Sequence, residues 1–127
     1  MGAETKQRRA VVVGGIRTPF VKAFGDFLSL DAIDLSVHAA GGLIQKFELD
    51  KKSIDSVVWS GVILPSAAPN VGRELVLDLG LPHGVEAMTV TRACASGLQA
   101  VTLGAAAIER GECDVVIAGG ADSTSNG

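Results

Sequence analysis

The stretch Val85-Glu-Ala-Met-Thr-Val-Thr91, followed by Arg92-Ala93-Cys94-Ala95-Ser96-Gly97-Leu98-Gln99 and running on to Arg110, decides the fold. Its first part is β-branched and strand-forming. Its last part, from Ser96, carries Leu98, Val101, Ala105 and Ile108 at helical spacing, which predicts an inward face for those four, and Gly111 supplies the stop. Between strand and helix there is room only for a tight turn, and a thiol sits on it.

Working outward, the same alternation repeats. Ala10–Ile16 is a continuous β-branched run, the mark of a buried parallel strand, closed by Arg17-Thr18-Pro19. Residues 31–48 predict a helix with Ile33, Val37, Ala40, Ile44 and Phe47 inward, and with Asp31 and Asp34 in the first turn, where negative charge is favoured. Gly41-Gly42 in its middle either weakens it or marks close packing on the sheet. A second strand centres on Val57-Val58-Trp59. Asn70 is placed to cap a helix over Val71–Leu79, with Val71, Leu75 and Leu79 on one face and Gly80 and Pro82 as stop signals. Asp114–Gly119 reads as a fourth, almost wholly apolar strand. The order βαβαβαβ, without internal repeat, predicts an α/β fold with a mostly parallel sheet and flanking helices. The division is an N-terminal tail over residues 1–9 and one domain over 10–127. A buried parallel strand at the end of the chain, with no helix after it to cover the sheet, marks the domain as incomplete.

Composition sets the boundaries of function. Across 127 residues, 11 Lys plus Arg stand against 14 Asp plus Glu, for a net charge of −3. That balance excludes the basic stripe of a nucleic-acid-binding protein and a polybasic membrane-binding surface. With 47% hydrophobic residues the chain can build a core. Four Phe, one Trp and no Tyr against 16 Gly require that core to be aliphatic and closely approached by backbone. Val11-Val12-Val13 is too short a run for a signal peptide or a membrane span, and Lys6 breaks the myristoylation pattern that Gly2 would begin, so the expected location is cytoplasmic. Cys94 and Cys113 are too few for a disulfide scaffold and, with His38 and His83, form no metal-ligand spacing.

In open α/β sheets, sites gather at the carboxyl ends of the strands. The first such end, Gly14-Gly15-Ile16-Arg17-Thr18-Pro19, lacks the spacing of a dinucleotide fingerprint, and Trp59-Ser60-Gly61 offers no acidic ribose ligand. The third end holds Cys94. Free N–H groups and the dipole of the following helix would favour its thiolate, small neighbours leave room for a substrate, and its own N–H could serve as an oxyanion donor. A small buried cysteine packing helix onto sheet is the alternative. Cys113 reads as structural. His38, in mid-helix, and His83, in a turn, are surface residues rather than bases. Gly119-Gly120-Ala121-Asp122-Ser123, at the fourth end, serves either to approach a ligand with bare backbone or to turn the chain out of the sheet.

Four segments in order resemble the N-terminal part of the thiolases: Gly15–Phe20, Pro69–Glu74, Arg92–Ala100 and Asp114–Ser123. The match runs from about Arg9 to the last residue. The second and fourth segments together most resemble the thiolase β-subunit of the fatty-acid oxidation (trifunctional) complex. Thr91 departs from the Asn that many members carry. The resemblance implies the N-terminal half of a thiolase fold, and a parent enzyme that cleaves 3-ketoacyl-CoA with CoA through an acyl-thioester on Cys94, in fatty-acid β-oxidation. It further implies CoA and acyl-CoA as substrates with no bound cofactor and no metal, and a homo-oligomer with the third strand near its interface. An α-subunit of a β-oxidation complex is the implied further partner. A biosynthetic acetoacetyl-CoA thiolase and a β-ketoacyl synthase are the neighbouring readings, and an α/β interaction module with an inert Cys94 is the non-enzymatic one. The family's base histidine and second cysteine match no residue here, so the 127-residue chain by itself is expected to be inactive.

Overall fold

The computed structural model describes residues 7–126. Helix α1 spans Ala32–Lys46, strand β1 Ser56–Ser60, helix α2 Val71–Asp78, strand β2 Glu86–Val90, helix α3 Ser96–Glu109 and strand β3 Val116–Ala118. Short 3-10 turns occupy Lys51–Ser53 and Thr124–Asn126. The three strands form one parallel sheet in the order β2-β1-β3. In that order β1 lies in the centre, and every residue from Val57 to Ser60 is buried.

The helices start and stop where their local chemistry dictates. Asp31 caps α1 reciprocally with Asp34: the Asp34 N–H donates to Asp31 Oδ1 at 2.8 Å, and the Asp31 N–H donates to Asp34 Oδ2 at 3.0 Å. Asn70 caps α2, accepting the Arg73 N–H at 3.2 Å. Both α2 and α3 end on a glycine in the left-handed region, Gly80 and Gly111, which lets the following N–H groups reach back to last-turn carbonyls. The core joins Ala40 and Ile44 of α1, Val57 and Trp59 of β1, Val71, Leu75 and Val76 of α2, and Ile117 of β3.

Three expectations from the sequence fail. First, Ala10–Ile16 is not a buried strand: Val11, Val12 and Val13 are 77%, 83% and 80% exposed, and no strand is assigned there. A strand exists only through a neighbour that satisfies its N–H and C=O groups. β1 already holds β2 and β3 at its two edges, and the segment that follows the valine run is set off from residues 117–125 by a cleft of about 460 Å³, so the run ladders with no strand of the sheet. The sheet of the described residues therefore has three strands rather than four.

Second, the inward face of α3 is Ser96, Ala100 and Gly104, whereas Leu98 is 71% exposed and Val101 is exposed as well. Periodicity points to the bulky residues, but the sheet accepts the small ones. A Cβ on Gly104 would come within 2.9 Å of Val116 Cγ1, so α3 seats on β3 by its smallest residue. Ala105 and Ile108 are half-buried.

Third, α1 is rotated from the expected face. Ala32, Leu35 and Ser36 are buried beside Ala40 and Ile44, and Ile33, Val37 and Phe47 are half-buried. Gly41 and Gly42 do mark close packing, but against side chains outside the sheet: Leu79 at the end of α2 and Ile16.

The tail expected over residues 1–9 falls partly on Met1–Lys6, outside the described residues. Within the described part, Arg8 is anchored to the body. Its guanidinium donates to the Ile108 carbonyl at 2.9 Å and pairs with Asp114.

Candidate active site

β2 brings the chain to the carboxyl edge of the sheet, and α2 is locked against it there. The Thr89 hydroxyl donates to Asn70 Oδ1 at 2.7 Å and accepts the Gly72 N–H at 2.9 Å. Gly72 is required by this close approach, since a Cβ there would stand 2.9 Å from the Met88 carbonyl oxygen. One residue past β2 the turn begins. The Ala95 N–H donates to the Arg92 carbonyl at 3.0 Å and the Ser96 N–H to the Ala93 carbonyl at 3.1 Å. Ala93 has φ +46°, a left-handed conformation that is strained for a residue with a Cβ. Cys94 follows it and is exposed, two residues before α3 begins. Strained backbone of this kind clusters at functional sites.

The rest of the neighbourhood is small or polar. Ala93, Ala95 and Gly97 flank the thiol, and nothing lies within 4 Å of where a Cβ on Gly97 would be. The Arg92 guanidinium is held by Gln99 Oε1 at 2.6 Å. The 460 Å³ cleft is lined by the residue 14–23 segment, Trp59 and residues 117–125, and Cys94 is not among its walls. The thiol thus stands open on the surface.

The parallel sheet sorts the other candidates. Cys113 precedes β3 and His83 precedes β2, so both lie toward the amino ends of the strands, opposite to Cys94. Cys113 is half-buried in a second hollow with Asp55, Glu86, Glu112 and Asp114. Burial, reinforced by the carboxylates of Asp55, Glu112 and Asp114, pushes its thiol above the ordinary range, and Arg8 offsets part of this. That is the environment of an unreactive thiol. His38 lies exposed on α1, and His83 is exposed in its loop. No group of three or more His, Cys, Asp or Glu among the described residues could hold a metal ion.

The fourth strand end packs beside β1 and, over Gly119–Ser123, also lines the cleft. The Gly119 N–H donates to the Val58 carbonyl and the Ala121 N–H to the Ser60 carbonyl, continuing the ladder past β3. Gly119 lies against the Trp59 ring, where a Cβ would be 2.9 Å from Cζ3. Asp122 Oδ1 accepts the N–H groups of Val62 and Ile63, both at 2.8 Å, and so fixes the loop after β1. Ser96, by contrast, carries hydrogen bonds inside the cysteine turn that its place in an apolar-face pattern does not reveal; only its position two residues after the thiol could have drawn attention to it.

A parallel α/β sheet with an exposed cysteine on a strained strand-to-helix turn has the architecture of a nucleophile elbow with a thiol at its apex. Comparison with known proteins gives the family. Residues 10–127 match the model of the thiolase N-terminal domain, and the chain belongs to the thiolase family. It is 44% identical over 117 residues to a 3-ketoacyl-CoA thiolase of Aliivibrio fischeri, covering 92% of this chain and 26% of that protein. A 3-ketoacyl-CoA thiolase of Shewanella denitrificans is 42% identical over 117 residues, covering 92% of this chain and 27% of that protein. Among solved structures, the Bacillus anthracis acetyl-CoA acetyltransferase superposes with a TM-score of 0.90 at 26% identity over 94% of this chain and 30% of that one. The Acat5 thiolase of Ascaris suum in complex with coenzyme A gives 0.84 at 27% identity, over 87% of this chain and 29% of that one. The chain spans about a quarter of the length of the curated relatives it matches.

Proposed function

We propose that the protein carrying this chain is a 3-ketoacyl-CoA thiolase and that Cys94 is its nucleophile. The observation that carries the reading is the exposed Cys94 thiol on the strained turn between β2 and α3, in a chain of the thiolase family. The Cys94 sulfur attacks the 3-keto carbon. The bond between C2 and C3 breaks, its electron pair leaves with the acetyl-CoA fragment, and that carbanion takes up a proton. The remaining acyl group is held as a thioester on Cys94. The thiol of a second CoA then attacks this thioester, releasing the shortened acyl-CoA and returning Cys94. Splitting one difficult exchange into two thioester steps lowers each barrier. The Cys94 N–H is the proposed donor to the oxyanion formed on attack.

The names of the relatives support the substrate class, CoA and 3-ketoacyl-CoA, and with it a degradative role in β-oxidation. The same proposal includes a cytoplasmic homo-oligomer and an α-subunit partner. The open edge of β2, where Met88 is exposed, supports association at that strand. No helix among the described residues is long and apolar enough to cross a membrane.

The test is trapping. The whole protein that carries this chain is mixed with a 3-ketoacyl-CoA, quenched in acid and digested, and the peptides are weighed. An acyl group on the Cys94 peptide, absent in Cys94→Ala together with turnover, supports the proposal. Undiminished turnover in Cys94→Ala overturns it. Acylation from acyl carrier protein but not from CoA would instead indicate a condensing enzyme.

A further inference from the structure

We propose that Ser96 is the positioning residue of the Cys94 turn. The inference rests on the reading of Cys94 as nucleophile. Ser96 is the first residue of α3 and is buried, although its neighbours from Thr91 to Ala95 are all exposed. A serine at the N-cap turns its oxygen forward, toward the free N–H groups of the first turn, but Ser96 stands one residue past the N-cap. Here it turns back. Its oxygen accepts the Arg92 N–H at 2.7 Å, and its own proton goes to the Ala93 carbonyl at 2.6 Å. The N-cap residue, Ala95, supplies no side-chain cap at all.

One hydroxyl thus ties together the two residues that precede the thiol. Ala93, one of those two, has φ +46°. Strained backbone persists only where its surroundings over-determine it, and among the described residues the Ser96 hydroxyl is the one side chain that bonds to the backbone of this turn. Without it the Arg92 N–H loses its acceptor and the Ala93 carbonyl keeps only the Ser96 N–H. Ala93 can then relax toward an ordinary φ. Because Cys94 is the next residue, that relaxation swings its Cα–Cβ bond and re-aims the sulfur. Transfer to a bound 3-keto carbon depends on that aim, and a misplacement of about 1 Å costs about a hundredfold in rate.

The experiment uses the whole protein that carries this chain and compares Ser96→Ala and Ser96→Thr with the wild type in steady-state thiolysis of a 3-ketoacyl-CoA. Alkylation of Cys113 serves as the monitor of the fold. The expected result is a loss of kcat of about tenfold or more in Ser96→Ala, with KM and Cys113 alkylation unchanged. Ser96→Thr, which keeps the hydroxyl, recovers most of the kcat. A Ser96→Ala enzyme with wild-type kcat overturns the proposal, as does a loss that Ser96→Thr shares in full. A measurement on the wild type guards against variants that fail to fold: the Arg92 amide must be protected from hydrogen exchange, and an unprotected amide overturns the proposal. Failure of the Cys94 reading looks different, because Cys94→Ala would then retain turnover whatever Ser96 does.

Discussion

The indole N–H of Trp59 donates to the hydroxyl of Ser36 at 2.8 Å, and both side chains are buried. Ser36 passes its own proton to the Ala32 carbonyl at 2.6 Å, so the pair joins β1 to α1 without leaving a polar atom unpaired. Removing the acceptor strands a buried donor, which costs about 1–3 kcal/mol. Ser36→Ala is therefore expected to lower unfolding stability by that amount. Trp59 is the single tryptophan, so urea unfolding followed by its fluorescence reads the site directly. A Ser36→Ala midpoint equal to wild type would show that the bond contributes nothing net.

Two glycines of α3 should respond oppositely to the same change. A methyl group on Gly104 meets Val116 at 2.9 Å, and overpacking of this kind costs about 1–3 kcal/mol. A methyl group on Gly97 meets nothing within 4 Å, and alanine raises helix propensity by up to about 1 kcal/mol. Gly104→Ala should lower the melting temperature and Gly97→Ala should hold or raise it. If both shifted the same way, α3 would not be seated on the sheet through Gly104.

That contrast also marks the limit of what the sequence made legible. Caps and stops act within a few residues, so Asp31, Asn70, Gly80 and Gly111 could be read from their neighbours alone. The thiol turn was legible for the same reason, since strand, Cys94 and helix follow one another without a break. The face a helix buries is a tertiary matter. Leu98 and Val101 look like core by size, yet the short approach to β3 admits only Ala100 and Gly104. The valine run 11–13 misleads in a related way: its residues suit a strand, but a strand needs a partner, and partners are not written in the strand's own sequence. Ser96 remained hidden because its role depends on where its hydroxyl points.

Helix α1 ends unlike the other two. Glu48 occupies the left-handed position that Gly80 and Gly111 fill in α2 and α3, with φ 49°. The Leu49 N–H still reaches the Ile44 carbonyl at 3.0 Å, so the termination is complete but strained. A residue with a Cβ pays about 1–2 kcal/mol in that conformation, and glycine returns about 0.4–1 kcal/mol of this through unfolded-chain entropy. Glu48→Gly is expected to stabilise the protein by about 0.5–1 kcal/mol. Glu48→Ala, which keeps the Cβ, should give no gain in the same denaturant titration. Equal gains from both would place the effect on charge rather than backbone.

Asp55 supplies a pH dependence whose sign can be fixed. Its carboxylate accepts the N–H groups of Asp114 at 2.8 Å and Val115 at 3.0 Å, tying the start of β1 to that of β3. These bonds hold its pKa below the ordinary 3.8, with burial opposing weakly. A carboxylate with a lowered folded-state pKa adds stability above its unfolded value, and that stability is lost as pH falls through the folded value. Asp55→Asn should melt below the wild type at neutral pH, and the gap should narrow once the pH drops under about 3.8. Glu112, also lowered by its partner Arg110, is present in both proteins and cancels from the comparison. A gap that stays constant between neutral and acid pH would show that the charge of Asp55 is irrelevant.

The two thiols should separate cleanly by reactivity. Cys94 is exposed on its turn, and Cys113 is half-buried among carboxylates that raise its pKa. Only the thiolate attacks iodoacetamide, so at neutral pH Cys94 should be carbamidomethylated first, by about tenfold or more in rate. Replacing the carboxylates beside Cys113, in Glu112→Gln with Asp114→Asn, removes repulsion of its thiolate and should speed its alkylation while leaving Cys94 unchanged. Peptide mass spectrometry over a time course resolves both sites in one sample. Faster modification of Cys113 than of Cys94 in the wild type would remove the distinction between a reactive and a structural thiol on which the site assignment stands.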